Sequence, residues 1–465
     1  MPFSTVLAGL SYALDLTEGQ RPGHAIRSCL IGMRIADTLG LETGTRAALF
    51  YALLTKDLGC SSNSARFTAL FGHDDHDLKV DLKTIDWTRA LESFRFVVQH
   101  AEPGQFWLRR VWRVLAILSK GEEGARAVVR TRCERGADIA TMLGLPRLTS
   151  DAIRALDEHW DGRGQPYGLE GESIPLLARI LGLAQTLEVF FTSHGTMAAY
   201  DMAVARRGSW FEPQVVDALL ATSPDDPFWE ALARQDHLDH LLASQPEELC
   251  IPASDAQLDT VTEAFARVID AKSPWTYAHS QGVAAIAGHM GHLLGYDPRA
   301  LRDLRRAALL HDLGKLGVSN LILDKPGRLT DDEFAVMRTH PRHTEQILQR
   351  VSCFAHLAPA AAAHHERLDG RGYHRGLSGR AIPSAARVLC AADICDALLA
   401  SRPYREGLPV ERVLDIMQRE SGAALDPVCV EALATVLRDG LHEAGASTPA
   451  AHLVDALQED YAQAA

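Results

Sequence analysis

The chain has 465 residues, 47% hydrophobic and 23% charged, with a formal net charge of −13. That length is too great for one ordinary core and suggests about two to four domains. The acidic balance excludes broad electrostatic capture of a nucleic acid polymer, which needs a basic face that can release counterions.

Aromatic residues are sparse at 6%, and Ala and Leu dominate, which favours helix over sheet. The eight cysteines, at positions 29, 60, 133, 250, 353, 390, 395 and 429, form no Cys-x-x-Cys pair and read as reduced thiols of a cytoplasmic protein. Asp15 and Glu18 come early and no basic segment precedes an apolar one, so no signal peptide is expected. The apolar run from Ile174 to Phe191 is broken by Arg179, Gln185 and Glu188, too polar for a spanning helix, and no membrane partner is expected.

In chain order, the first clear element is an amphipathic helix from His24 that ends at Leu39-Gly40. Its counterpart is the helix from His279 that ends at Leu294-Gly295, 255 residues further on. The same spacing places Leu53-Leu54-Thr55-Lys56-Asp57-Leu58-Gly59-Cys60 on Ala308-Leu309-Leu310-His311-Asp312-Leu313-Gly314-Lys315. After extra material between Asp57 and Arg132, the spacing becomes 208. Asp161-Gly162-Arg163-Gly164 and Ile174-Pro175 then fall on Asp369-Gly370-Arg371-Gly372 and Ile382-Pro383.

The extra material includes Trp87 to Ala116, which looks helical, and a polar loop, His73-Asp74-Asp75-His76. Further on, Phe211-Glu212-Pro213 echoes Leu425-Asp426-Pro427. Matches at this many fixed positions predict a tandem duplication of one helical unit. Pro246 and Pro252 interrupt the helical pattern between Ser244 and Asp255, which sets a boundary near residue 250. The expected fold is all-α, with domains 1–250 and 251–465 packed as a pseudo-dimer.

In the second half, Leu301, Leu304, Ala308 and His311 recur at helical spacing. Thr330 and Glu333 predict a capping box that opens another helix. The strong donors arrive as His279, His311 with Asp312, His340, the pair His364-His365, and Asp393. Five imidazoles and two carboxylates suffice for two metal ions, and the two oxygens of one carboxylate can bridge them. Lys315 stands four residues after His311 and is expected on the same helix face, looking into the same cavity.

This set resembles the HD superfamily of metal-dependent phosphohydrolases, and more narrowly its HD-GYP branch. The likeness rests on Lys272-Ser273-Pro274-Trp275-Thr276-Tyr277-Ala278-His279, Leu310-His311-Asp312-Leu313-Gly314-Lys315, Leu323 to Thr330, Thr339-His340-Pro341, His364 to Tyr373, Ala392 to Ala397, and Ser401-Arg402-Pro403-Tyr404-Arg405. It covers about residues 258 to 435. The name-giving Gly-Tyr-Pro reads Gly372-Tyr373-His374 here.

The resemblance implies an all-helical hydrolase of cyclic dinucleotides, typically cyclic di-GMP and in some members the mixed guanine-adenine compound. It implies that His279, His311, Asp312 and Asp393 hold one metal, and that Asp312, His340, His364 and His365 hold the other, with His311, Asp312 and Lys315 catalytic. Iron or manganese suits such a donor set. Two ions roughly 3.5–4 Å apart activate water and neutralise the phosphodiester. Lys315, Arg371, Tyr373, Arg402 and Arg405 are the expected substrate contacts, although Lys315 also reads as a solvated lysine and Arg371 as part of a turn. Trp275 stands where some relatives place a third-metal glutamate, so two ions are expected. A homodimer or partner signalling proteins stay open, as do two rival readings: a non-hydrolytic dinucleotide-binding scaffold and an HD-type hydrolase of other nucleotides.

Carried back to the first half, the ligand positions read His24, Lys56, Asp57, Arg132, Leu156, Asp157 and Gln185. Two cations and a leucine among these exclude a comparable metal site. The first half is therefore expected to be non-catalytic, structural or regulatory. Lys56 and Arg132 either receive a phosphate-bearing regulator or pair with Asp57 and Asp157, and the second reading is preferred.

Overall fold

The structure is a computed structural model and describes residues 1–234, 237–245, 252–275, 278–400, 406–444 and 457–458. Among them every regular element is an α- or 3-10 helix, and β structure is limited to isolated bridges. Two compact units divide at Gln257/Leu258, with Ser319–Leu321 counted in the first. Arg402, Arg405, Thr276, Tyr277 and Cys250 lie outside the described residues. The seven described cysteines are all free thiols.

In the first unit the helices that matter here are α1 (Phe3–Thr17), α2 (His24–Thr38), α3 (Thr43–Thr55), α4 (Ala90–His100), α5 (Trp107–Met142), α6 (Arg147–Arg154) and α7 (Leu176–His194). Helix α2 packs on α3 and α7. The extra segment from Trp87 to Ala116 is largely helical, as expected, but in two pieces. The chain turns at residues 101–106 between α4 and α5, and α5 is itself kinked at Gly121, whose φ of 57° leaves the helical region. Glycine adopts that φ without the Cβ clash that bars other residues, and it is a poor helix former. In the His73-Asp74-Asp75-His76 run, Asp74 caps the helix Asp75–Leu82 by accepting from the His76 N–H at 2.8 Å. Helix α7 is long and apolar enough to cross a membrane by length and composition, despite the polar interruptions. It is instead a packed helix, with Ile180, Leu181, Leu183, Ala184 and Leu187 fully buried.

The second unit is built on α8 (Asp255–Asp270), α9 (His279–Leu293), α10 (Pro298–Leu310), α11 (His340–Gln349) and α12 (Ser384–Leu399), and α9 packs on α10 and α12. Helix α10 starts as its sequence dictates: Asp297 accepts from the Ala300 N–H at 2.8 Å and Pro298 occupies the first turn, where its missing N–H costs nothing. The capping box of Thr330 and Glu333 forms as expected on the helix Asp331–Met337.

Local bonds recur between the units at the sequence spacings. Both α2 and α9 end on a left-handed glycine, Gly40 at φ 66° and Gly295 at φ 75°. Glu158 accepts from the N–H groups of Tyr167 and Leu169 at 2.6 and 2.9 Å, and Glu366 from those of Arg375 and Leu377 at 2.7 and 3.0 Å. Arg179 reaches Glu212 at 2.7 Å, and Arg387 reaches Asp426 at 2.8 Å. A Cβ on Gly59 would meet the Arg132 carbonyl at 1.9 Å, and one on Gly314 the His340 carbonyl at 1.9 Å, so both positions admit only glycine.

A buried carboxylate sits at the start of each first long helix. Asp15 accepts from the N–H groups of Gly23 and Ala25 at 2.7 and 3.0 Å, and Asp270 from the Ser280 N–H and hydroxyl. Burial pushes Asp15 up to about 7 and Asp270 up to about 6. A carboxyl raised on folding binds more protons in the native state, so its contribution is full below about pH 4 and is lost as pH rises through the folded value. Asp15→Asn keeps an acceptor oxygen without the charge. Denaturant titrations between pH 5 and 8 are expected to show a shallower loss of stability for this variant than for the wild type. Parallel profiles would contradict the assignment.

Candidate metal centre

Each donor of the second unit is delivered by a helix end or a helix face. His279 opens α9, His311 follows the last residue of α10, His340 opens α11, His364-His365 follow the short helix Ala358–Ala361, and Asp393 lies within α12. Asp312 stands at their centre. Its Oδ2 lies 3.7 Å from His279 Nε2 and 3.3 Å from His311 Nε2, while its Oδ1 lies 3.4 Å from His340 Nε2 and 3.7 Å from His364 Nε2. Asp393 closes the ring, with Oδ1 at 3.3 Å from His279 Nε2 and Oδ2 at 3.9 Å from His365 Nδ1. All seven expected ligands are thus brought together, and one carboxylate faces the two groups through different oxygens.

The tautomers of four rings are set by their outer nitrogens. The Nδ1 atoms of His311, His340 and His364 lie 2.6, 2.7 and 2.5 Å from the carbonyls of Ala308, Met337 and Ala361. A carbonyl only accepts, so each Nδ1 carries the proton and each Nε2 turns a bare lone pair inward. His279 Nδ1 meets Asp396 at 2.5 Å in the same way. Burial pushes His340 and His365 down to about 3, and it lowers His364 too, so these rings stay neutral, as metal ligands must. Burial also opposes the charged forms of His279 and Asp312. Hydrogen bonds that the His279 ring donates to Asp393 and Asp396 nonetheless raise His279, and the neighbouring His311 and Lys315 hold Asp312 well below the usual carboxylate range.

Buried lone pairs this close repel unless a cation lies among them. His311 Nε2 and Asp312 Oδ1 are buried with no hydrogen-bond partner, and the sets His279-His311-Asp312 and His340-His364-His365 each gather three donor atoms within 4.8 Å. This chemistry fits divalent transition metals held by imidazole and carboxylate.

Lys315 reaches the site by a route the sequence does not reveal. It does not share an α-helical face with His311, because the chain tightens into a 3-10 helix over Leu313–Gly317, where Nζ meets Asp312 Oδ2 at 2.5 Å from three residues away. Tyr373 lies with its ring centroid 4.8 Å from that of His365. Arg371 is exposed, and its N–H donates to Asp369 at 3.0 Å within the turn. His374 Nε2 lies 3.1 Å from Glu345 Oε2.

Two participants were not anticipated. Asp396, which fixes the His279 ring, stands one helical turn after Asp393, a spacing that could have shown it. The Arg338 guanidinium lies over the rings of Tyr373 and Phe334, 5.0 and 5.8 Å from their centroids, with no sequence motif to mark it.

The corresponding pocket of the first unit contains its own cations. His24 Nδ1 bonds to Glu188, Nε2 lies 2.9 Å from Lys56 Nζ, and that ammonium also pairs with Asp57. Burial lowers His24, leaving Nε2 free to accept from the ammonium. Arg132 pairs with Asp157, and Lys83 reaches Glu18 at 2.6 Å. Glu18, Asp57 and Cys60 form a further cluster of potential ligands, but Lys56 and Lys83 neutralise its carboxylates. The preferred pairing of Lys56 with Asp57 and of Arg132 with Asp157 is what the structure contains. Glu18 and Lys83 escaped the sequence reading because neither lies at a ligand position.

The HD domain family matches residues 121–215 and 263–429. The chain is 42% identical to the 3'3'-cGAMP-specific phosphodiesterase 3 of Vibrio cholerae over 94% of its own length and 95% of that protein. It is 38% identical to the cyclic di-GMP phosphodiesterase response regulator RpfG of Xanthomonas campestris, over 42% of its length and 50% of that protein. A crystal structure of a cyclic GMP-AMP specific phosphodiesterase of V. cholerae superposes with a TM-score of 0.65 at 37% identity, covering 94% of this chain and 98% of that one.

Two substitutions separate the two pockets. Asp312→Ala is expected to strip metal from the protein, read by elemental analysis. Lys56→Ala is expected to leave metal content unchanged but to cost about 3–5 kcal/mol of stability in chemical denaturation, because Asp57 is left buried and unpaired. Metal loss from Lys56→Ala, or retention in Asp312→Ala, would contradict the assignment.

Proposed function

Because this chain belongs to the HD domain family, we propose that it is a metal-dependent phosphodiesterase that opens a cyclic dinucleotide, with the second unit catalytic and the first a non-catalytic copy. The observation that carries the reading is the Asp312 carboxylate, flanked by imidazole nitrogens on both of its oxygens. Of the possible substrates we favour the mixed guanine-adenine cyclic dinucleotide. The relative named for that compound spans both units, whereas the cyclic di-GMP phosphodiesterase RpfG matches under half of the chain.

His279, His311, Asp312 and Asp393 would hold one ion, and Asp312, His340, His364 and His365 the other, with iron or manganese the best fit to these donors. When bound, such a pair supplies Lewis acidity toward the phosphodiester and lowers the pKa of water. The chain's own residues do the rest. Lys315 Nζ, held at Asp312 and partly exposed, places a positive charge where phosphoryl oxygens gather charge. Tyr373, its ring tilted against His365 and under the Arg338 guanidinium, presents an aromatic wall beside the proposed ligands on which a base can stack. Glu366 gathers the N–H groups of Arg375, Gly376 and Leu377 and thereby fixes the loop that carries Tyr373. Arg371 is a second candidate for a phosphate, and the free cysteines suit a cytoplasmic setting.

Incubating the manganese- or iron-loaded protein with each cyclic dinucleotide and resolving the products tests this directly. The mixed compound should be opened fastest, and Lys315→Ala should lose roughly 10²–10³-fold in rate with metal retained. Binding without hydrolysis would favour the scaffold reading, and faster turnover of cyclic di-GMP would overturn the substrate preference.

A further inference from the structure

The loop that carries Tyr373 is tied down on both sides of that residue. Before it, the chain runs close against the proposed ligands: a Cβ on Gly372 would meet the His365 carbonyl oxygen at 2.5 Å, and the Tyr373 N–H donates to that same oxygen at 3.2 Å. After it, Glu366 gathers the N–H groups of Arg375, Gly376 and Leu377. A second buried carboxylate, Glu345 of α11, reaches the same stretch through side chains. Its Oε2 lies 3.1 Å from His374 Nε2, and its Oε1 pairs with the Arg375 guanidinium. A carboxylate only accepts, so His374 Nε2 carries the proton of that contact.

The first unit holds the matching loop by other means. Its register against the second is fixed by two glycine contacts, since Gly59 lies against the Arg132 carbonyl and the Gly136 nitrogen, and Gly314 against the His340 carbonyl and the Thr344 nitrogen. One residue further on, Ala137 therefore stands where Glu345 does. At the loop, Glu158 takes the Tyr167 N–H as Glu366 takes that of Arg375, so Pro166 stands where His374 does. The two positions differ as a pair: proline with a fully buried alanine in one unit, histidine with a buried glutamate in the other. The pairing has a physical reason. A proline ring fixes φ and restricts the states open to a loop, whereas a histidine in its place leaves φ free. A carboxylate opposite that histidine gives its ring a strong acceptor, and the side chain then supplies the restraint that the backbone has lost.

We propose that Glu345 is a positioning residue: with His374 it replaces the proline restraint of the first unit and so holds Tyr373 against His365. The inference rests on the proposed role of Tyr373 as a wall for a base. Glu345 acts on the substrate only through the loop.

Amide hydrogen exchange over residues 372–377, read by mass spectrometry on the metal-loaded protein without substrate, tests the restraint itself, and KM and kcat for the mixed cyclic dinucleotide test its consequence. Glu345→Ala is expected to speed exchange in the loop and to raise KM about tenfold or more, the loss of a hydrogen bond to a charged group, with kcat little changed and metal retained. Adding His374→Pro to Glu345→Ala rebuilds the pair found in the first unit and should return both readings toward wild type, with Arg375, already 43% exposed, left to solvent. A merely structural role for Glu345 would not be rescued by a proline in the loop. His374→Ala removes the same contact while leaving α11 intact, and it should loosen the same amides even if Glu345→Ala fails to fold. Wild-type exchange in His374→Ala would overturn the proposal, as would a double variant whose loop exchanges as fast as that of the single alanine variants. A wild type and variants that follow the expected exchange pattern but open no cyclic dinucleotide would support the restraint and overturn the proposed function instead.

Discussion

The second unit is organised around one electrostatic constraint: a buried carboxylate, Asp312, with imidazole nitrogens on both sides and no hydrogen-bond donor for its Oδ1. Everything near it follows from holding those lone pairs in place. Carbonyls at Ala308, Met337 and Ala361 fix three ring tautomers, Asp396 fixes a fourth, and Gly314 allows the His340 backbone to approach where any Cβ would collide. Such an arrangement is unstable by itself and becomes favourable around cations, which is why we read it as a metal centre.

The first unit meets the same constraint with different chemistry. His24 keeps its outer carboxylate partner in Glu188, as His279 keeps Asp396, but the inner nitrogen faces an ammonium from Lys56. A lysine in place of His311 brings a fixed positive charge into a pocket of acids, and Arg132 does likewise beside Asp157. The pocket therefore keeps its helices and its glycine contact at Gly59 while the proposed catalytic ions are replaced by side chains.

Much of this was legible in the sequence. Positions matched by the repeat spacings of 255 and 208 make like bonds in the two units, as Glu158 and Glu366 do, and the donors from His279 to Asp393 converge. The helix ends at Gly40 and Gly295 and the Thr330 capping box were readable because their signals are local. What escaped depends on chain paths that spacing does not encode. The 3-10 turn that aims Lys315, the break between α4 and α5, and the stacking of Arg338 on Tyr373 arise from tertiary packing. The partners Glu18 and Lys83 were invisible for a related reason: they are 65 residues apart and meet only in the fold.

The central proposal is that Asp312 would be shared by two cations in the second unit, where the first unit has the Lys56 ammonium instead. Anomalous diffraction from crystals of the manganese- or iron-loaded protein tests it most directly. The account predicts two peaks roughly 3.5–4 Å apart, one on each side of the Asp312 carboxylate, and none beside Lys56. A peak among His24, Asp57 and Glu18, or a single peak that leaves one face of Asp312 without a metal, would contradict it.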